Sequence, residues 1–121
     1  MSPLNLALRA GLEAAALAAY GAGGFALGGG AAGVLLGLLC AASVAAVWGT
    51  FNVPGDPSRS GRSPVAVPGV VRLMIELDVL AGAAVLLGFL WSPAAGIALG
   101  VATVVHYVAG RSRVAWLLSG R

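Results

Sequence analysis

Residues 31–51 read AAGVLLGLLCAASVAAVWGTF, an uncharged and almost wholly apolar stretch. A helix needs roughly 20 such residues to cross the ~30 Å hydrocarbon core of a bilayer. Three further stretches of this kind occupy residues 3–27, 68–91 and 93–110, and a polar segment with three prolines, residues 52–67, separates the second stretch from the third. The sequence therefore predicts four transmembrane helices, one long loop, and a basic C-terminal tail with Trp116 that lies at the membrane interface.

The composition is typical of a polytopic, all-α membrane protein that forms a single domain over residues 1–121. Hydrophobic residues make up 60% of the chain and charged residues only 9%, whereas soluble domains are about 25% charged. The net charge of +3 comes from arginines scattered among apolar segments, which does not suit a nucleic-acid-binding surface. We therefore expect membrane lipids, and no nucleic acid, among the partners.

Neither a metal nor a cofactor is expected from the residue pattern. Cys40 is the single cysteine and lies inside an apolar run, where a cysteine most often packs as a small side chain. No spacing of histidine, cysteine and acidic residues is typical of a metal site, and no glycine run follows a strand to hold phosphate.

The seven arginines predict the orientation of the chain. All of them, Arg121 included, lie near the ends that a four-span topology places on one side, while the opposite connections at residues 28–30 and 91–93 carry no charge. By the positive-inside rule, both termini and the long loop are predicted to be cytoplasmic.

An Arg-x-x-x-Glu pattern occurs twice, as Arg9 to Glu13 and as Arg72 to Glu76. Residues four apart share a helix face, so each arginine is predicted to neutralise the glutamate of its own helix. The recurrence predicts two pseudo-repeated helical hairpins related by an axis along the membrane normal. The pairs are either purely structural, or they let the arginines bind an anionic or polar head group, which guanidinium geometry suits.

Asp78 differs from these glutamates because no arginine lies three or four residues away. In apolar surroundings an unpaired carboxyl tends to keep its proton, so Asp78 is predicted to be a proton donor. The alternative is a hydrogen bond to a hydroxyl of another helix, such as Ser43 or Thr103.

The predicted cytoplasmic half is polar inside, and the other half is apolar and aromatic. One cavity with a polar mouth and an apolar end would suit a lipid-like molecule. Its predicted lining, beyond the charged pairs, is Tyr20, Trp48, Asn52, Phe89, His106 and Tyr107. The alternative for Trp48, His106 and Tyr107 is anchoring at the membrane interface.

Glycine pairs spaced four apart predict close helix contacts. The pairs are Gly24 with Gly28, Gly29 with Gly33, and Gly33 with Gly37. Glycine-rich faces also allow association into a homo-oligomer.

Three segments carry a family resemblance: Arg9 to Glu13, Trp48-Gly-Thr-Phe-Asn-Val-Pro54, and Pro68-Gly-Val-Val-Arg72 to Leu77. With these the chain resembles, over most of its length, the YrdB-like family of small four-span bacterial membrane proteins. That family is largely of unknown function, so the resemblance implies the topology and a bacterial inner membrane.

In size, span number and intramembrane acids, the chain is also similar to the small membrane-bound terpene cyclases of bacterial meroterpenoid pathways. In these enzymes an acidic side chain is thought to protonate the terminal alkene or epoxide of a prenyl chain. The resemblance implies that Asp78, or else Glu76 or Glu13, protonates a prenylated substrate. Aromatic rings would stabilise the cation, and Arg9, Arg72 and Asn52 would lie near the polar head. The Asp-rich motifs of metal-dependent terpene synthases are absent, so only the protonation-initiated type fits.

Two other classes of function stay open. The buried acids could bind protons or cations in a small transporter or channel-like dimer. Alternatively, the protein is a non-catalytic accessory subunit that docks a larger membrane partner, and its charged pairs are structural.

Overall fold

The computed structural model of the chain describes residues 1–59 and 61–120. Five helices and two very short strands follow one another in the order α1 Pro3–Gly28, α2 Gly30–Thr50, β1 Phe51–Asn52, β2 Val65–Ala66, α3 Gly69–Leu90, α4 Pro93–Ala109 and α5 Arg111–Leu118. The first four helices occupy the four apolar stretches. Arg121, one of the arginines used to predict orientation, lies outside the described residues.

Three helices, α1, α2 and α3, are long and apolar enough to cross a membrane. Helices α4 and α5 pass the same test as a pair, although they are bent by 71° relative to each other. The protein is therefore a largely helical, multi-pass membrane protein with three or four spans. The arrangement as two pseudo-repeated hairpins stays a prediction.

Local sequence signals explain where the helices begin. The Ser2 hydroxyl accepts a hydrogen bond from the Asn5 amide, and Pro3 opens the first turn. Ser92 and Pro93 repeat this arrangement at the start of α4. A serine N-cap accepts an otherwise unpaired amide, and proline loses nothing at a position whose amide has no helical partner.

Helix α1 lies at the centre of the bundle and packs against α2, α3 and α4. Its core contacts with α3 and α4 are made by Leu12, Ala16, Ala19, Leu80, Ala83 and Leu99. By contrast, α2 packs along α1 and hardly touches α3. This leaves a gap between α2 and α3 on the side of the bundle.

Glycines allow α1 and α2 to approach closely. A Cβ on Gly24 would lie 2.6 Å from the Leu36 carbonyl oxygen, and one on Gly37 would lie 2.6 Å from that of Gly21. The predicted contacts at Gly24, Gly28, Gly33 and Gly37 are therefore present. Gly29 is different: it has a φ of 61° and nothing near its Cβ position, so it serves the turn between the helices.

Gly96 provides a direct test of the α3–α4 contact. Its Cβ would lie 2.6 Å from the Ala84 carbonyl oxygen and 2.7 Å from the Gly88 Cα. We expect Gly96→Ala to lower the free energy of unfolding by about 1 to 3 kcal/mol, because two backbones must separate. Unfolding by SDS in mixed micelles would measure it. Gly100→Ala, which has open space at its Cβ, is the control, and an equal loss in both variants would contradict the packing.

The predicted loop and tail are more structured than the sequence indicated. Within residues 52–67, β2 pairs in parallel with β1, and the Val67 amide donates to the Asn52 carbonyl. Helix α5 folds against α3 with Leu117 buried. The approach is close enough that a Cβ on Gly69 would collide with the Leu117 backbone. The tail is therefore part of the bundle rather than a segment that only rests at the interface.

The aromatic end of the predicted cavity is not present. Phe89 is 87% exposed and Trp91 77% exposed, both on the outer surface of the bundle. Phe89 lines a separate apolar pocket on this surface, between α3 and α4, and it does not share a cavity with the charged residues as predicted. Aromatic residues at this end face outward because the neighbouring helices touch through glycine and alanine.

Candidate ligand-binding site at the charged end of the bundle

Glu76 is the centre of a buried network of charged groups. Arg9 donates to both of its oxygens, at 3.1 Å to Oε1 and 2.8 Å to Oε2, and Arg113 does the same at 2.9 and 2.8 Å. Arg72 donates through Nε to Oε2 at 2.6 Å, and the Tyr107 hydroxyl donates to Oε1 at 2.7 Å. Because every donor favours the charged form, Glu76 is held as a carboxylate.

The two Arg-x-x-x-Glu pairs behave differently. Arg72 does bind Glu76 on its own helix, as predicted. Arg9 also lies near Glu13 on its own helix, at 3.4 Å from Nε to Oε1, but its closer contacts cross from α1 to Glu76 on α3. Both predicted pairs are therefore formed, but neither is self-contained, because Glu76 joins them and binds Arg113 as well. Glu76 in the bundle interior gives Arg9 a bidentate contact, whereas Glu13 is 38% exposed and gives it one longer contact.

Arg72 also ties α2 to α3. Its Nη1 donates to the backbone carbonyls of Trp48, at 2.6 Å, and Phe51, at 2.8 Å. These carbonyls lie at the C-terminal end of α2, where helical carbonyls lack partners and a cation is favourable. One guanidinium thus neutralises Glu76 and caps the neighbouring helix.

Arg113 joins the long loop to this network. Its Nε and Nη2 donate to the two oxygens of Asp56 at 2.8 and 2.6 Å. Although burial raises the pKa of Asp56, the hydrogen bonds from Arg113 and from the Ser58 amide lower it below its ordinary value. The pair is therefore ionised at neutral pH and fixes the loop against α5.

Trp48 lies beside two of the guanidiniums. The Arg9 and Arg72 Cζ atoms are 5.1 and 4.9 Å from the centre of its ring, within the range of a cation–π contact. Its Nε1 donates to Glu13 Oε1 at 2.9 Å. Trp48 therefore has a fixed place in the network. It also lines the adjoining pocket, which we call the Trp48 pocket.

The other predicted polar residues lie around this network. His106 is buried, its Nδ1 lies 2.8 Å from the Asn5 amide oxygen, and its Nε2 lies 3.5 Å from Arg9. Asn52 is fully buried and accepts a hydrogen bond from Arg59 at 2.5 Å. Tyr20 donates to the Val79 carbonyl and thereby joins α1 to α3. Unlike Trp48, these three residues do not line the adjoining pocket.

The Trp48 pocket lies between α1, α2, α3 and the long loop, with a volume of about 430 Å³. Its polar lining consists of Arg9, Glu13, Ser58, Arg59 and Arg72, next to the Trp48 ring. Its apolar lining consists of Ala16, Leu17, Val44, Ala45 and Val79. A pocket of this size and mixed lining is within the usual range for a small-molecule site.

Three buried polar atoms of the described residues have no hydrogen-bond partner, and all three belong to residues that line this pocket. They are Ser58 Oγ, Arg59 Nε and Arg72 Nη2. Buried donors are nearly always satisfied in folded proteins. Their concentration at one pocket marks it as a place where a bound molecule could accept hydrogen bonds.

Asp78 does not belong to this site. Its side chain is exposed on the outer surface of α3, and it does not line the pocket that adjoins the charged network. The prediction that it donates a proton inside a cavity is therefore wrong. The alternative hydrogen bonds are not formed either, because Ser43 and Thr103 donate to carbonyls of their own helices.

Sequence reasoning missed four residues of the site: Asp56, Ser58, Arg59 and Arg113. All four lie in the long loop or the C-terminal helix, which were predicted to be a cytoplasmic loop and an interfacial tail. The available signal was weak, since an Asp-Pro-Ser-Arg segment is also typical of an exposed turn. In the described ranges, no three histidine, cysteine or acidic side chains lie together as a metal site would need.

The fold and the site define a class: a small multi-pass helical membrane protein with a buried arginine–carboxylate network beside a mixed pocket. Residues 7–105 match the family described as "Protein of unknown function (DUF2568)", and the chain belongs to this family. It is also 38% identical over 119 residues to "Uncharacterized protein YrdB" of Bacillus subtilis (strain 168), a match that covers 98% of this chain and 97% of that protein. No solved structure matches the chain.

These comparisons confirm the resemblance to YrdB and fit a bacterial protein. The similarity to terpene cyclases gains no support from them. The matched region contains Arg9, Trp48, Arg72 and Glu76, and it ends before Arg113.

Proposed function

We propose that this protein binds a lipid-like amphiphile in the Trp48 pocket, with the head at the charged end and the chain along the gap between α2 and α3. The observation that carries the proposal is the lining of the pocket. Charged and hydroxyl side chains cover one part, and small aliphatic side chains cover the other.

Access from the side of the bundle supports this proposal. Because α2 hardly touches α3, an acyl or prenyl chain can lie between these helices while remaining in the hydrocarbon layer. A ligand already dissolved in the bilayer then needs no passage through water. With the positive-inside orientation, the proposed site faces the cytoplasmic leaflet of a bacterial inner membrane.

Cyclisation of a prenylated substrate is the second candidate, and Glu13 is the observation in its favour. Of the three predicted acids, Glu13 lines the pocket, Glu76 lies beneath it, and Asp78 lies outside it. The contacts of Glu13, a hydrogen bond from Trp48 and an ion pair with Arg9, are those of a carboxylate that accepts rather than of an acid that donates. Binding without protonation is therefore our first proposal.

Filling the pocket tests the proposal. Ala45 lines the pocket, and its neighbour Ala46 is exposed and does not. We expect Ala45→Trp to weaken binding of fluorescent phosphatidic acid and fluorescent diacylglycerol by at least about tenfold, because the indole occupies the space of the ligand. Fluorescence anisotropy of the purified protein in detergent micelles measures both probes.

Ala46→Trp is the matched control, since it adds the same side chain one residue away. We expect it to bind both probes as the unchanged protein does. Saturable binding that survives Ala45→Trp, or no saturable binding of either probe to the unchanged protein, would contradict the proposal. The second candidate is tested by incubating the protein with a prenylated quinol. A cyclised product that the unchanged protein forms and the Glu13→Gln variant does not form would favour the catalytic hypothesis.

A further inference from the structure

Building on the proposed function, we propose that the Trp48 pocket recognises a phosphate ester as the head group of its amphiphile. The residues assigned to this head-group site are Ser58, Arg59 and Arg72. Each supplies one of the buried donors without an acceptor.

The donors are of the kind that a phosphate uses. Arg59 Nε and Arg72 Nη2 are guanidinium N–H groups, and Ser58 Oγ is a hydroxyl. They come from two separate parts of the chain, the loop and α3. A carboxylate presents its acceptor positions in one plane, whereas the tetrahedral oxygens of a phosphate can also meet donors that lie out of one plane, such as two guanidinium N–H groups and a hydroxyl from separate segments.

Charge balance at the pocket favours an anionic head group. Arg9, Arg72 and Arg113 are matched by three carboxylates, those of Glu13, Asp56 and Glu76. Within residues 1–59 and 61–120, no carboxylate lies at ion-pair distance from Arg59. Arg59 therefore adds one uncompensated positive charge to the pocket. Glu13 also lines the pocket, but its charge is already paired with Arg9.

The loop holds Arg59 and Ser58 in place before any ligand arrives. Arg59 uses Nη1 to bind Asn52 and Nη2 to bind the Arg62 carbonyl, which leaves Nε free. The Ser58 amide donates to Asp56, which Arg113 fixes in turn. A head-group site whose side chains are already ordered loses less entropy when it binds.

The test compares probes that share their acyl chains and differ in the head group. Phosphatidic acid is the phosphate ester, diacylglycerol the neutral analogue, and oleate the carboxylate. Soluble glycerol phosphate supplies the same phosphate without a chain. For the unchanged protein in a neutral detergent, we expect phosphatidic acid to bind at least about tenfold more tightly than each of the others, the range expected for hydrogen bonds to a charged group.

Arg59→Gln is the decisive variant. We expect it to remove most of the preference for phosphatidic acid over diacylglycerol, and to leave diacylglycerol binding within about twofold, since one charged donor is lost and the apolar contacts stay. Arg62→Gln is the matched control, because Arg62 lies in the same loop, is exposed, and carries the same charge. An equal loss in both variants would mean general electrostatic attraction and would overturn the assignment.

The remaining outcomes separate this inference from the function on which it rests. Equal binding of diacylglycerol and phosphatidic acid, or a preference for oleate, overturns the phosphate site but leaves amphiphile binding in place. If glycerol phosphate binds as tightly as phosphatidic acid, the ligand is a soluble phosphate ester, and the proposal that it is a lipid is wrong. If no amphiphile binds saturably, the proposed function fails first.

Discussion

Glu76→Gln is expected to destabilise the protein by about 3 to 5 kcal/mol, the range for removing one partner of a buried ion pair. Three guanidiniums converge on this carboxylate, and its side chain is fully buried. With a neutral amide in its place, Arg72 loses its carboxylate partner, and the three buried cations share only the charges of Glu13 and Asp56. SDS-induced unfolding in mixed micelles, followed by circular dichroism, measures the loss.

Glu13→Gln is the matched control for this experiment. Glu13 has the same chemistry on α1 but is 38% exposed and forms one longer ion pair with Arg9. We expect a loss of no more than about 1 kcal/mol, the usual value for an exposed pair. Similar losses in the two variants would show that Glu76 is not the centre of the network.

Arg113→Ala is the second change with a large expected effect. It removes four hydrogen bonds, two of them to Asp56, and leaves the buried Asp56 carboxylate without its cation. Breaking a buried pair in this way costs about 3 to 5 kcal/mol. We also expect faster cleavage of the long loop in limited proteolysis, since Arg113 is what holds the loop on α5.

Arg111→Ala serves as the control on the same helix. Arg111 is exposed, and its guanidinium donates to the Val108 carbonyl. Its loss should change the unfolding free energy by less than about 0.5 kcal/mol, as is usual for surface substitutions, and should leave the proteolysis rate of the loop unchanged. Equal effects of the two arginines would refute the role given to Arg113.

The helices could be predicted because their signals are local. An uncharged stretch such as residues 31–51 satisfies its own backbone groups only as a helix when it lies in lipid. Serine–proline pairs mark two helix starts, and Gly29 and Gly30 mark a turn. The break at Gly110, after which α5 turns by 71°, has no comparable signal, and the tail was therefore placed at the interface.

The site could be predicted only in part, because its decisive contacts are distant in sequence. Arg72 and Glu76 are four apart, and helix geometry alone brings them together. Arg9 and Glu76 are 67 residues apart, and Asp56 and Arg113 are 57 apart. The periodicity of a single sequence predicts the contact of Arg9 with Glu13 on its own helix, but it does not report a second and closer partner on another helix.

Asp78 is a residue whose local sequence gives a misleading signal. The absence of a nearby arginine predicts a buried, protonated acid. On an ideal helix, however, Asp78 lies about 200° from Glu76, and since Glu76 faces the core, Asp78 must face outward.

The contact between Arg9 and Glu76 also bears on the order in which the protein is assembled. The ribosome completes α1 and α2 before residue 76 has been made, so the first hairpin enters the bilayer with Glu13 as the sole acid available to Arg9. The strongest partner of that arginine arrives only with the third helix, and the carbonyls at the end of α2 receive Arg72 at the same moment. The charged network around Glu76 can thus be completed only after the later half of the chain has been made.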